Sequence, residues 1–134
     1  MDLVKELSNR ISLRLEKIRY DALDAEDIDC NVEYHDEWEV VKKGERNIAL
    51  LYKRKVYFEP ENRFRLEIDV RIVASANDKS NVDLNDCSDE DIQNAIDKII
   101  GIIPSYMSAL VSQITGSFTD IPVISPPFFI KKEE

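Results

Sequence analysis

The stretch NRFRLEIDVRIVASA, residues 62–76, decides the fold. Phe64, Leu66, Ile68, Val70 and Ile72 alternate with Arg65, Glu67, Asp69 and Arg71. Successive side chains on a strand point to opposite faces, so this is a strand with one apolar and one charged face. Residues 46–59 repeat the pattern: Ile48, Leu50, Tyr52, Val56 and Phe58 share one parity, interrupted by Arg54. Between the two runs, Glu59-Pro60-Glu61-Asn62 reads as a short turn, because Pro60 has no N–H to give to a ladder. The two runs form an antiparallel hairpin.

Upstream, Val32, Tyr34, Trp38 and Val40 share a parity, which predicts a third strand over 30–42 with its turn at Lys42-Lys43-Gly44-Glu45. The first segment carries two periods at once. Leu3, Leu7, Ile11, Leu15, Ile18 and Ala22 fall at helical spacing. Ile11, Leu13 and Leu15, then Ile18 and Tyr20, fall at strand spacing with a one-residue slip that a bulge absorbs. Periodicity alone leans to helix here.

Downstream of Ser88 the period lengthens. Ser88, followed by Asp89, Glu90 and Asp91, is a helix start: a side-chain oxygen caps open amides, and the acids favour the positive end of the dipole. Ile92, Ile96, Ile99, Ile100, Ile103, Met107, Leu110, Val111 and Ile114 make one broad stripe, and Gly116 is expected to end the helix as a C′ residue. Pro104 removes one hydrogen bond inside it, which predicts a kink near Gly101–Pro104. Strands followed by one long helix and an extended tail make an α+β domain over 1–134. The stripe is wider than one sheet contact needs, which implies a second subunit.

The composition narrows the function. Hydrophobic residues make up 43% and charged residues 34% of 134, a globular balance. With 18 Lys+Arg against 27 Asp+Glu the net charge is −9, which argues against nucleic acid and suits basic partners. No apolar run is expected to span a bilayer, and Met1 to Arg10 has no apolar core of a signal peptide, so the expected location is the cytoplasm. Cys30 and Cys87 have no ligand-like spacing and are expected to be reduced. His35 lies in residues 33–37, Glu-Tyr-His-Asp-Glu, where alternation sends Glu33, His35 and Glu37 to one side and Asp36 to the other. A solvated strand end is expected there rather than a metal site. With no second His, no Gly-rich phosphate loop and no nucleophile motif, neither a catalytic site nor a cofactor is expected.

The long helix and its tail carry a resemblance. Pro104 and Tyr106 in the helix, then Gly116-Ser117-Phe118, then Pro122-Val123-Ile124-Ser125-Pro126-Pro127-Phe128-Phe129, resemble the SecB export chaperones, especially the shorter SecB-like proteins of Gram-positive bacteria. The resemblance implies four antiparallel strands ahead of the helix, so residues 11–25 become the first strand. It also implies a homodimer or homotetramer that binds unfolded or precursor polypeptides, without cofactor, in an apolar groove beside the tail. Under it the groove is lined by Tyr34, Trp38, Phe118, Ile121, Val123, Ile124, Phe128 and Phe129. For each tail phenylalanine the alternative is that it finishes the core, and for Tyr34 and Trp38 that they pack under the helix. In the family an acidic sheet patch meets the SecA motor. Glu67, with Asp21 or Asp24, stands in those positions, while Arg65 stands where the family prefers an apolar residue. The other reading is a non-enzymatic adaptor, or a toxin–antitoxin-associated chaperone, dedicated to one protein partner.

Overall fold

The structure is a computed structural model and describes residues 3–8, 10–118 and 123–129. Four strands, β1 (Ile11–Ala22), β2 (Asn31–Lys43), β3 (Asn47–Glu59) and β4 (Phe64–Ser75), form one antiparallel sheet in the order β1-β4-β3-β2. A short helix, α1 (Leu3–Ser8), precedes β1, a 3-10 turn spans Leu84–Asp86, and a 30-residue helix, α2 (Asp89–Phe118), follows. The expected α+β architecture is the observed one.

The alternation of β3 and β4 sets the core. Ile48, Leu50, Tyr52 and Val56 on β3, and Phe64, Leu66, Ile68, Val70 and Ile72 on β4, are all buried on one face. The stripe of α2, from Ile92 and Ile96 through Ile103, Met107, Val111 and Ile114, is buried in the same core. By length and composition α2 is apolar enough to cross a membrane, which corrects the expectation from sequence. Here its apolar stripe is the one closed onto the sheet.

The ambiguous first segment divides between its two periods. Leu3 and Leu7 are buried from α1, and strand geometry takes over at Ile11. The register shifts between Leu15 and Lys17, so Leu13 faces Ile72, Leu15 faces Val70 and Ile18 faces Ile68. The slip in the apolar pattern is thus a bulge, and both halves of β1 keep their apolar side on the core face. A second shift, between Val40 and Lys42, bends the end of β2.

The connections are held by side chains. Arg46 donates to the carbonyls of Asn77 (2.8 Å), Ser80 (2.8 Å) and Val82 (3.0 Å), which ties down the link to α2. Asn62 is buried and exchanges two hydrogen bonds with the Glu26 backbone, at 2.9 and 3.0 Å. It thereby fixes the β1–β2 crossover against the β3–β4 turn, where Arg63 takes a left-handed φ of 61°. At the start of α2 the Ser88 hydroxyl accepts from the Asp91 N–H at 3.1 Å, as its capping pattern predicts. The other end departs from expectation. Gly116 does not terminate α2, which runs on to Phe118. No glycine among the described residues has a positive φ, so the left-handed geometry of a C′ glycine is absent.

Candidate functional site

Two charged residues break the apolar parity of adjacent strands, and they are partners. Asp36 on β2 and Arg54 on β3 lie directly opposite in register. Both side chains are 0% exposed. Arg54 Nε and Nη2 donate to the two carboxylate oxygens of Asp36, each at 2.7 Å, and Tyr52 Oη donates to the same carboxylate at 2.7 Å. Burial, reinforced by that hydrogen bond, pushes the Tyr52 phenol far above its ordinary range.

The rest of the guanidinium reaches the tail. Nη1 donates to Ser125 Oγ (3.0 Å) and to the Pro126 carbonyl (2.7 Å), and Nη2 donates to the Phe128 carbonyl (3.0 Å). Arg has five N–H donors in a rigid fork, and all five are used. Flanking groups hold the same segment by its main chain. Ser108 Oγ on α2 donates to the Ser125 carbonyl at 2.6 Å, and Tyr34 Oη on β2 donates to the Ile124 carbonyl at 3.3 Å. The Val123 N–H donates to Thr115 Oγ1 at 2.7 Å. Residues 123–129 therefore lie in a trough walled by α2 on one side and by β2 and β3 on the other.

The aromatic residues named from sequence part company here. Phe129 packs edge-on against Tyr52, with ring centres 6.1 Å apart, and with Val123 lies against the core. Tyr34 and Trp38 are half-buried on the core side of β2, and burial raises the Tyr34 phenol, opposed by the Arg54 charge. Phe118, Ile124 and Phe128 are 61%, 83% and 60% exposed. The Phe118 ring sits 5.2 Å from Tyr20, which stacks on Phe64, so one aromatic row runs from the core to the surface. Ile121 lies outside the described residues. Of the eight groove candidates, Tyr34, Trp38, Val123 and Phe129 thus pack against the core, and Phe118, Ile124 and Phe128 are exposed. Leu13, Leu15 and Ile18 add apolar surface on β1.

The opposite face of the sheet is charged. Asp21 and Glu67 share a hollow of about 220 Å³ with Arg19, Lys55, Tyr57 and Arg65, whereas Asp24 lies outside it on the exposed crossover. Asp21 accepts from Arg19 at 3.1 Å, and Glu67 lies 3.9 Å from Lys53. The acids named as a motor-partner face are therefore interleaved with cations. Burial raises the Asp69 carboxyl above its ordinary value. His35 is not the solvated residue expected: its side chain is 17% exposed, with Nδ1 buried and Nε2 3.7 Å from Glu37. No group of three or more His, Cys, Asp and Glu among the described residues has metal-binding geometry, and Cys30 and Cys87 are free thiols.

Sequence reasoning missed the Asp36–Arg54 pair, although a signal existed. An acid at a core-parity position of one strand and a base at a core-parity position of the next, at facing register, is itself a prediction of a buried pair.

No protein-family model matches the chain, and no curated protein matches it. Among solved structures it is similar to the Mycobacterium tuberculosis SecB-like chaperone Rv1957, in complex with a ChAD peptide from the Rv1956 HigA1 antitoxin. The TM-score is 0.66 at 12% identity, over 89% of this chain and 90% of that one. It also overlaps a protein of unknown function from Streptococcus agalactiae, at 9% identity and a TM-score of 0.42, over 87% of this chain and 96% of that one. Four antiparallel strands, the long helix and the match to Rv1957 together give this chain a SecB-like fold.

Proposed function

We propose that this protein is a chaperone that captures non-native polypeptide on the apolar surface around Phe118, Ile124 and Phe128. The observation that carries this reading is the exposure of these three residues, two of them on a tail whose backbone is fastened from beneath. A surface that accepts many sequences needs apolar, adaptable walls, and burial of client side chains against it supplies affinity without ATP or a cofactor. Rv1957, which shares the fold, holds a peptide of a partner protein. That observation also favours a second reading, a chaperone dedicated to one partner such as an antitoxin. Breadth of clients separates the two.

The finer elements of the proposal are a cytoplasmic location, a role in export and assembly as a homodimer or homotetramer. The incompletely covered β1 residues Leu13, Leu15 and Ile18 support assembly, because a second copy would bury them. Contact with the SecA motor through Asp21 and Glu67 would have to compete with the cations that already engage these acids.

The test is suppression of aggregation of several unrelated unfolded proteins, followed by light scattering. Phe128→Ser should weaken capture several-fold and leave the melting temperature within about 2 °C, since exposed substitutions rarely change stability by more than ~0.5 kcal/mol. Phe129→Ser should lower the melting temperature, because that ring packs on Tyr52. Equal destabilisation by both, or wild-type protein that leaves every client to aggregate, would remove the proposal.

A further inference from the structure

The trough under the tail is built to read main chain. Of the polar contacts that hold residues 123–129, those from Ser108, Tyr34 and Thr115, and two of the three from Arg54, go to backbone atoms. Asp36 neutralises the Arg54 charge and takes two of its donors. The remaining three donors point out of the pair at neutral acceptors two residues apart, Pro126 and Phe128, and at the hydroxyl of Ser125. With the tail seated the guanidinium is 0% exposed, so a segment that takes the tail's place must offer these three donors acceptors of its own or leave them desolvated and unpaired. A neutralised pair favours an extended neutral peptide over a phosphate or carboxylate ligand.

From this we propose that the trough is a receptor for extended polypeptide and that this chain fills it with its own residues 123–129, an intramolecular competitor of incoming segments. The preferred ligand has the chemistry of the tail: a Ser or Thr, an apolar residue two positions before it, and an aromatic residue four positions after it, as in Val123, Ser125 and Phe129. Prolines suit such a ligand, because they hold it extended and withhold N–H groups that the trough does not call for. The inference rests on the chaperone reading for the identity of the competing ligand, and it carries that ligand from the exposed rim at Phe118, Ile124 and Phe128 into the trough as the tail leaves. The receptor itself rests on the geometry of the trough.

The apparent affinity for a second ligand equals the intrinsic affinity scaled by the fraction of molecules whose tail is out. Weakening the tail should therefore tighten binding in trans. The probe is a fluorescent peptide carrying residues 123–129 with a solubilising lysine pair, titrated by anisotropy into the full-length chain. Ser125→Ala/Phe129→Ser should bind it at least about tenfold more tightly than wild type, with Ser125→Ala intermediate and available if the double variant folds poorly. Adding Ser108→Ala to the tail-weakened chain should cost affinity several-fold, since that hydroxyl holds the Ser125 carbonyl. Equal affinity across wild type and both tail variants would overturn the inference. An unfolded, reduced and carboxymethylated protein is then added as competitor, and displacement of the peptide is the expected result. If it instead binds wild type and tail-weakened protein equally well, the inference fails and the chaperone reading survives. If the peptide binds the variants but no unfolded protein is bound, the receptor stands and the chaperone reading fails.

Discussion

Replacing Arg54 by Met tests the buried pair. The substitution keeps an unbranched side chain of similar length but leaves the Asp36 carboxylate, 0% exposed, without its bidentate partner. Tyr52 Oη still donates to it, and that neutral donor does not replace a guanidinium in the interior. Removing one member of a buried pair costs about 3–5 kcal/mol. Unfolding entropy of about 2.1 cal/mol/K per residue over 134 residues gives ~0.28 kcal/mol/K, so the melting temperature should fall by about 11–18 °C. The informative comparison is Asp36→Leu/Arg54→Met, which removes both charges. It should be more stable than Arg54→Met despite carrying one more change, because a matched apolar pair has no ion to strand. Thermal and urea unfolding of the four members of this cycle, followed by circular dichroism at neutral pH, should give a coupling of at least about 2 kcal/mol. A double variant that loses the sum of the two single losses would refute the reasoning and leave Asp36 and Arg54 as independent neighbours.

Other perturbations read other parts of the fold. Burial raises the Tyr52 phenol, so above the ordinary tyrosine pKa of about 10 the unfolded chain loses a proton that the folded chain retains. Stability should therefore be intact below about pH 10 and fall above it by up to ~1.4 kcal/mol per pH unit. In Tyr52→Phe that fall should be shallower, and an unchanged alkaline slope would contradict the assignment. Gly101 is exposed inside α2, and a Cβ there would meet nothing within 4 Å, so Gly101→Ala should stabilise by about 0.5–1 kcal/mol. A loss of stability in thermal unfolding would mean that another surface closes over that position. Arg46→Ala should speed amide hydrogen exchange across residues 77–82, where three carbonyls lose the Arg46 guanidinium, with little change in β3 and β4.

The hairpin is legible because a half-buried strand is almost alone in producing sustained period-2 alternation, and the capped start of α2 is legible because Ser88 and the acids after it have a defined electrostatic use. The first strand is harder. Its bulge makes Ile11, Leu15 and Ile18 coincide with helical spacing, so local periodicity leans the wrong way and the family resemblance supplies the strand. Gly116 misleads in the opposite sense: a glycine permits a left-handed turn but does not compel one. The exposed half of the site is partly visible in the tail aromatics. Its buried half is not, because Arg54 reads as an interruption and Asp36 as one acid among several. Their meaning depends on the register of β2 against β3, and register is a property of paired strands rather than of either one.

The strand order carries a consequence for the order in which the chain assembles. β1 is made first, yet its partner is β4, with Ile11 opposite Ala74 and Ala22 opposite Phe64. At roughly 5–20 residues per second, the ribosome completes β4 on the order of 3–10 s after β1. Through that interval Leu13, Leu15 and Ile18 have no sheet to join, while β2, β3 and β4 pair with neighbours next in sequence. Assembly in the order of synthesis would close the sheet by capture, on an already paired β2–β3–β4 meander, of an extended apolar segment made earlier. A newly made copy of this protein would then present, for a few seconds, the kind of segment that a finished copy is proposed to hold.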